Sequence, residues 1–195
     1  MGFAVTTTSK SLVAPASPTP VGVSLPLSAL DRVPGLRHLV LSLHVFDAAP
    51  ANKDGADDGK KPGEPARVVR EALGKALVDY YPFAGRFVEE DGEVRVACTG
   101  EGAWFVEATA ACSLEDVRHL DHPMATPKEE LLPEPAPDVP PLDMPLMMQV
   151  RLMNAWSVEV NLLMVVSSMD DRPCDISSIY EWSTQISCSH RMHCY

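Results

Sequence analysis

The stretch that most constrains this chain runs from Val68 to Ala108, where three periodicities follow one another without a gap. Val69, Ala72, Leu73, Ala76, Leu77 and Tyr80 fall three and four apart, with Arg70, Glu71, Lys75 and Asp79 between them. A helix that buries one stripe has that spacing, and here it predicts a helix from about Ala66 to Tyr81. Pro82 has no N–H to continue the ladder and disfavours helical angles at Tyr81, so the helix ends there; Gly85 permits the reversal that follows. Phe87 and Val88 then lead into Asp91-Gly92, a strong two-residue hairpin signal, and Val94 and Val96 alternate with Arg95 and Ala97 on the return. Gly100 and Gly102 punctuate the chain before Trp104-Phe105-Val106 opens a third strand.

Elsewhere the signals are sparser. Val5 to Lys10 suits a short first strand, and Pro15, Pro18, Pro20 and Pro26 keep the chain extended as far as Ser28. From His38 to Phe46, Leu39, Leu41, Leu43 and Val45 alternate with a second set in which His38 and His44 share a face with Val40, Ser42 and Phe46, the pattern of a buried strand. Asp47 to Pro65, rich in Asp, Gly, Lys and Pro, reads as a surface loop. Ser113 with Asp116 three residues on predicts a capped turn, and Pro123 to Pro145 reads as a proline-rich connection crossing the surface. From Arg151 the character changes. Val158 to Val166 is apolar enough to be recruited as a strand or helix over the core, whereas the last thirty or so residues have no evident cap, turn or amphipathic plan. The chain therefore divides into residues 1–150 and a divergent tail, 151–195, expected to be the least ordered part.

At 195 residues, 46% hydrophobic and 22% charged, the chain suits one soluble globular domain. A formal net charge of -11 with no basic cluster argues against nucleic acid and anionic membrane surfaces as partners. No apolar run approaches a membrane span or a secretory signal, so a cytoplasmic location is the expectation. Five cysteines, an odd number, read as free thiols. Cys174, Cys188, His190, His193 and Cys194 gather soft ligands in the tail, but their spacing matches no closed zinc module, and no metal site is expected. Walker-type loops, dinucleotide glycine fingerprints and Ser-His-Asp arrangements are absent. The oligomeric state is not legible.

Four segments together resemble one family. ALGKALVDYYPFAGR (Ala72 to Arg86), followed by the hairpin and CTGEGAWFVEA (Cys98 to Ala108), is similar to the amino-terminal half of the plant BAHD acyltransferases. Upstream, LPLSALD (Leu25 to Asp31) looks like that family's LSxxD element; downstream, PPLDMPLMMQV (Pro140 to Val150) looks like its run-in to the catalytic strand. The resemblance covers roughly residues 10 to 150 and fades after Gln149-Val150. It implies an α+β fold with a mixed sheet and flanking helices, the incomplete amino-terminal domain of a chloramphenicol-acetyltransferase-like enzyme. It also implies transfer of an acyl group from an acyl-CoA co-substrate to a small alcohol or amine of plant specialised metabolism, with no tightly bound cofactor. By the same resemblance Asp31 and His38 belong near the acceptor pocket, and Tyr81, Pro82, Phe83, Gly85 and Arg86 form a scaffold beside the solvent channel. On the residues alone, that turn is explained by ring burial and by an arginine able to bind a carbonyl or an acid.

The family's mechanism needs a histidine base, suited to the task by a pKa near neutral, and an aspartate four residues on. Four positions after His38, His44, His119, His122 and His190 stand Ser42, Ala48, Pro123, Thr126 and Cys194, and nothing stands four after His193. No HxxxD exists, and the family's DFGWG is absent too. His44 and Asp47 lie at odd spacing along a strand and so point to opposite faces, which excludes them as a substitute pair. The expectation is that this chain alone is inactive; the alternative is a non-catalytic fragment or interaction protein from a truncated or misread gene.

Overall fold

The computed structural model describes residues 4–29, 32–33, 38–46, 65–120, 127, 131–154, 158–166 and 190–194. In chain order these form β1 (Val5–Val13), β2 (Val23–Pro26), β3 (His38–Phe46), α1 (Pro65–Asp79), β4 (Arg86–Glu90), β5 (Glu93–Cys98) and β6 (Ala103–Ala110). Three more strands follow: β7 (Leu146–Leu152), β8 (Val158–Val166) and β9 (His190–Cys194). A six-stranded sheet has the order β1-β6-β7-β8-β3-β9, and a separate three-stranded sheet has the order β2-β5-β4. The large sheet is mixed, with β6 and β7 parallel and its other neighbours antiparallel. The architecture is α+β, as the sequence implies. Among the described residues α1 is the single α-helix, so helix covers one face of the large sheet and irregular chain covers the other.

On the helix side, Val69, Leu73 and Leu77, each at most 3% exposed, pack with Phe105, Met148 and Val150. Each buried aliphatic side chain of this size contributes about 1.5–3 kcal/mol, which far outweighs helix propensity. The helix stops at Asp79, two residues earlier than its periodicity suggests. Tyr81–Ala84 instead tightens into a 3-10 turn that seats Pro82 where no N–H is required. Asp91 and Gly92 take φ of 53° and 78°, the mirror-image turn that a two-residue hairpin demands, and β4 and β5 pair across it from Glu90–Glu93 back to Arg86–Ala97.

The third strand of this stretch departs from its neighbours: β6 leaves the hairpin and enters the large sheet between β1 and β7. The third place in the hairpin's sheet is taken by β2, an extended segment ending at Pro26 that pairs with β5 along an edge, where a missing N–H is tolerated. Val158–Val166 is indeed recruited, as a strand between β7 and β3. β7 itself runs through Val150 and Arg151, and His190–Cys194 pairs with Ser42–Phe46 at the sheet edge. No helix among the described residues is long and apolar enough to cross a membrane.

The helix-free face is covered by the chain between β6 and β7. Ser113 and Asp116 form the predicted reciprocal cap, with the Ser113 N–H donating to Asp116 Oδ2 at 2.8 Å and the Asp116 N–H to Ser113 Oγ at 3.2 Å. Leu114, Val117 and Leu120 beyond it pack on Leu43 and Val45. In the proline-rich connection, described at residue 127 and over 131–145, Leu131 and Met144 are each 1% exposed, and the Trp104 indole N–H donates to the Glu134 carbonyl at 2.8 Å. The connection is thus a strap across the sheet, anchored by buried side chains.

Candidate functional site

Three places could bear function. The first is the turn from Tyr81 to Arg86. Phe83 and Ala84 are buried, and Gly85 lies so close to β5 that a Cβ there would sit 2.3 Å from the Ala97 carbonyl oxygen. Only glycine fits. Arg86 donates to the carbonyls of Gly85 at 2.6 Å and Gly102 at 2.9 Å, and its other terminal nitrogen lies 3.0 Å from Glu101. Burial lowers the Arg86 pKa from its ordinary value while the Glu101 carboxylate raises it. The Gly102 N–H donates in return to Ala84 at 3.0 Å, so two turns distant in sequence are tied together. Tyr81 and Pro82 are half-buried at the start of the same turn. Every polar contact here is internal, which fits a group that holds shape.

The second place is β3. His38, at its start, is exposed; His44 is 6% exposed and lies opposite Val160, a residue of the helix-side core. The two histidines share one strand face, and six residues of strand, roughly 20 Å, separate them. Asp31, the other pocket residue implied by resemblance, lies outside the described residues, as do Cys174 and Cys188 of the tail. No cluster of three or more His, Cys, Asp or Glu side chains able to hold a metal occurs among the described residues.

The third place is one that sequence reasoning did not single out: a cleft of about 490 Å³ on the helix-free face. Met147, Gln149 and Arg151 on β7 line it, with Leu132 to Pro135 of the strap and Val5 and Thr7 of β1. β7 alternates strictly: Leu146, Met148 and Val150 face the helix, and Met147 joins the core of the opposite face. Gln149 and Arg151, each 3% exposed, therefore lie on the helix-free side. The Gln149 Nε2 has no hydrogen-bond partner among the described residues. The alternation was visible in MMQVRL, but burial of both strand faces makes the segment read as one continuous apolar strand.

The chain is an α+β domain with a tied turn, and its family comes from comparison with known proteins. The profile described as the Transferase family matches residues 3–181, so the chain belongs to that family, and the match continues beyond Val150. Acyl transferase 4 of Oryza sativa subsp. japonica is 56% identical over 175 residues, covering 87% of this chain and 39% of that protein. Myricetin 3-O-glucosyl 1,2-rhamnoside 6'-O-caffeoyltransferase AT1 of Crocosmia x crocosmiiflora is 49% identical over 154 residues, 77% of this chain and 33% of that one. These relatives are BAHD-type acyltransferases, and this chain spans well under half the length of each. Among solved structures, vinorine synthase superposes with a TM-score of 0.58 at 22% identity over 83% of this chain and 38% of its own. TRI101 of F. graminearum, complexed with coenzyme A and T-2 mycotoxin, superposes at 0.51 with 11% identity over 74% of this chain and 35% of its own. Both likenesses are of fold.

Proposed function

We propose that this chain represents the amino-terminal part of an acyltransferase that moves an acyl group from acyl-CoA to an alcohol or amine of plant specialised metabolism, and that residues 1–195 alone do not turn over. The family match and the 56% identity to acyl transferase 4 support the reaction class. The observation that carries the second half is in the sequence: none of the six histidines has an aspartate four residues on. Proton removal by a positioned base is typically worth about a hundred- to ten-thousand-fold in rate. Acyl-CoA would act as a co-substrate rather than a resident cofactor, a reading supported by the coenzyme A bound to TRI101. Asp31 and His38 are the residues proposed to approach the acceptor, and Tyr81, Pro82, Phe83, Gly85 and Arg86 to hold the framework. In this reading residues 1–150 are the family's partial amino-terminal domain, 151–195 are a tail without its HxxxD although the family match runs on to residue 181, and the protein works in the cytoplasm.

The same missing base favours a second reading, a non-catalytic fragment that acts only by association. The test is incubation of the purified chain with a panel of acyl-CoA donors and alcohol or amine acceptors, following free thiol release and product mass. No release above the enzyme-free control is expected. Turnover that disappears in His38→Ala or His44→Ala would overturn the proposal of inactivity. An HxxxDG encoded in another frame or beyond an intron downstream of the Val150 codon favours the enzyme; its absence there favours the fragment.

A further inference from the structure

The cleft on the helix-free face is assembled from distant parts of the chain, and one irregularity in β1 completes it. Val13 on β1 belongs to the helix-side core, and Ser11 accepts a hydrogen bond from Arg70 of α1 at 2.6 Å, so the odd-numbered residues there face the helix. A bulge between Thr7 and Ser9 then inserts one extra residue, after which Thr7 pairs with Ala108 and Val5 with Ala110. Ala110 belongs to the core of the helix-free face, so the bulge turns Thr7 and Val5 onto that face and into the cleft.

Two of the lining residues carry charge, and both are already engaged. Glu134 is ion-paired with Lys10, which faces the same side of β1 from the unshifted register, and Arg151 has its own interaction within the fold. An ionic ligand would meet no uncommitted counter-charge on these walls. Gln149 differs from both: it is neutral and 3% exposed, and its Nε2 has no acceptor among the described residues. A buried amide N–H left unpaired is costly, and an occupant that brings an acceptor removes that cost. Around it, Pro133, Pro135, Pro141 and Met147 supply apolar walls, and proline side chains lose no rotamer freedom when a flat ring packs on them. A volume of about 490 Å³ lies in the range of small-molecule sites and accommodates a fused bicyclic ring. We propose that this cleft binds a neutral aromatic carbonyl compound, its rings between the prolines and Met147 and its carbonyl oxygen accepting a hydrogen bond from the Gln149 amide.

Three probes of one bicyclic frame separate the possibilities: 1-indanone has a carbonyl acceptor and no donor, indole an N–H donor and no acceptor, and indane neither. Each is titrated into the full chain by saturation-transfer NMR, with the methionine methyls of the protein isotopically labelled. 1-Indanone is expected to bind with a Kd of about 1 mM or tighter, and indole and indane about fivefold more weakly or worse. The Met147 methyl signal, assigned with Met147→Leu, should shift, whereas that of Met148 in the helix-side core should not. Gln149→Met keeps the length of the side chain without its amide. It should abolish the preference for 1-indanone and, by deleting an unpaired buried donor, raise the ligand-free melting temperature by about 2–4 °C. A lower melting temperature would mean that the fold itself uses the Gln149 amide, and would overturn the assignment. So would equal affinity for the three probes, a preference for indole, no 1-indanone binding by about 10 mM, or binding that leaves Met147 unshifted.

Discussion

Replacing Arg86 by methionine removes the guanidinium but keeps a stem of similar length. In the native chain that group, 12% exposed, bonds two buried carbonyls, those of Gly85 and Gly102, and ion-pairs with Glu101, which is 54% exposed. The two kinds of contact differ in worth. A hydrogen bond from a charged donor contributes about 1.5–3 kcal/mol, whereas an ion pair whose acid faces water gives about 0–1 kcal/mol. Methionine retains the stem's packing but leaves both carbonyls without the donor, so Arg86→Met should cost about 2–4 kcal/mol, a large fraction of a domain's stability. Glu101→Gln should cost under about 1 kcal/mol. Lysine has one ammonium that cannot span both carbonyls, which places Arg86→Lys between the two. Urea unfolding followed by tryptophan fluorescence measures the series, and the methionine variant's midpoint should fall by about 1–2 M. If Glu101→Gln destabilises as much as Arg86→Met, the ion pair and not the carbonyl bridge holds the turns together, and the reasoning fails.

Gly102 has φ of 111° and a Cβ there would lie 2.3 Å from the Val13 carbonyl, whereas Gly92, at φ of 78°, has open space around it. Gly102→Ala should therefore cost about 2–4 kcal/mol against about 1–2 for Gly92→Ala, and equal melting temperatures would refute the close approach. Leu77→Ala, at a site 1% exposed beneath α1, should cost about 2–5 kcal/mol in the same urea assay; Val68→Ala, 38% exposed, should stay below about 1 kcal/mol. The Asp116 carboxylate is held below its ordinary pKa, first by the Ser113 backbone N–H and then by the Ser113 hydroxyl. Because the folded value is the lower one, its contribution is present above the ordinary carboxylate range and disappears as pH falls through the folded value. The stability gap between wild type and Asp116→Asn should accordingly narrow on acidification from pH about 6 to about 3, and a gap independent of pH would contradict the cap.

Local periodicity and turn chemistry by themselves determined the helix under Val69, Leu73 and Leu77, the Asp91-Gly92 hairpin, the alternating strand from His38 to Phe46 and the Ser113–Asp116 cap. Each is settled by contacts within a few residues, so a short window of sequence contains the cause. Pairing across the sheet does not work that way. Nothing local tells β6 to leave the hairpin and lie parallel to β7, β2 to pair with β5, or residues 190–194 to line up on β3, because the partners are distant and a strand edge has no period of its own. The site followed the same divide. Arg86 was marked by its motif, but the Gly102 carbonyl it bonds is sixteen residues away and became a partner only when the two turns met. Gln149 took on meaning only when the strap closed over β7 and one extra residue in β1 turned Val5 and Thr7 toward its cleft, a change of face that composition and spacing leave undetermined.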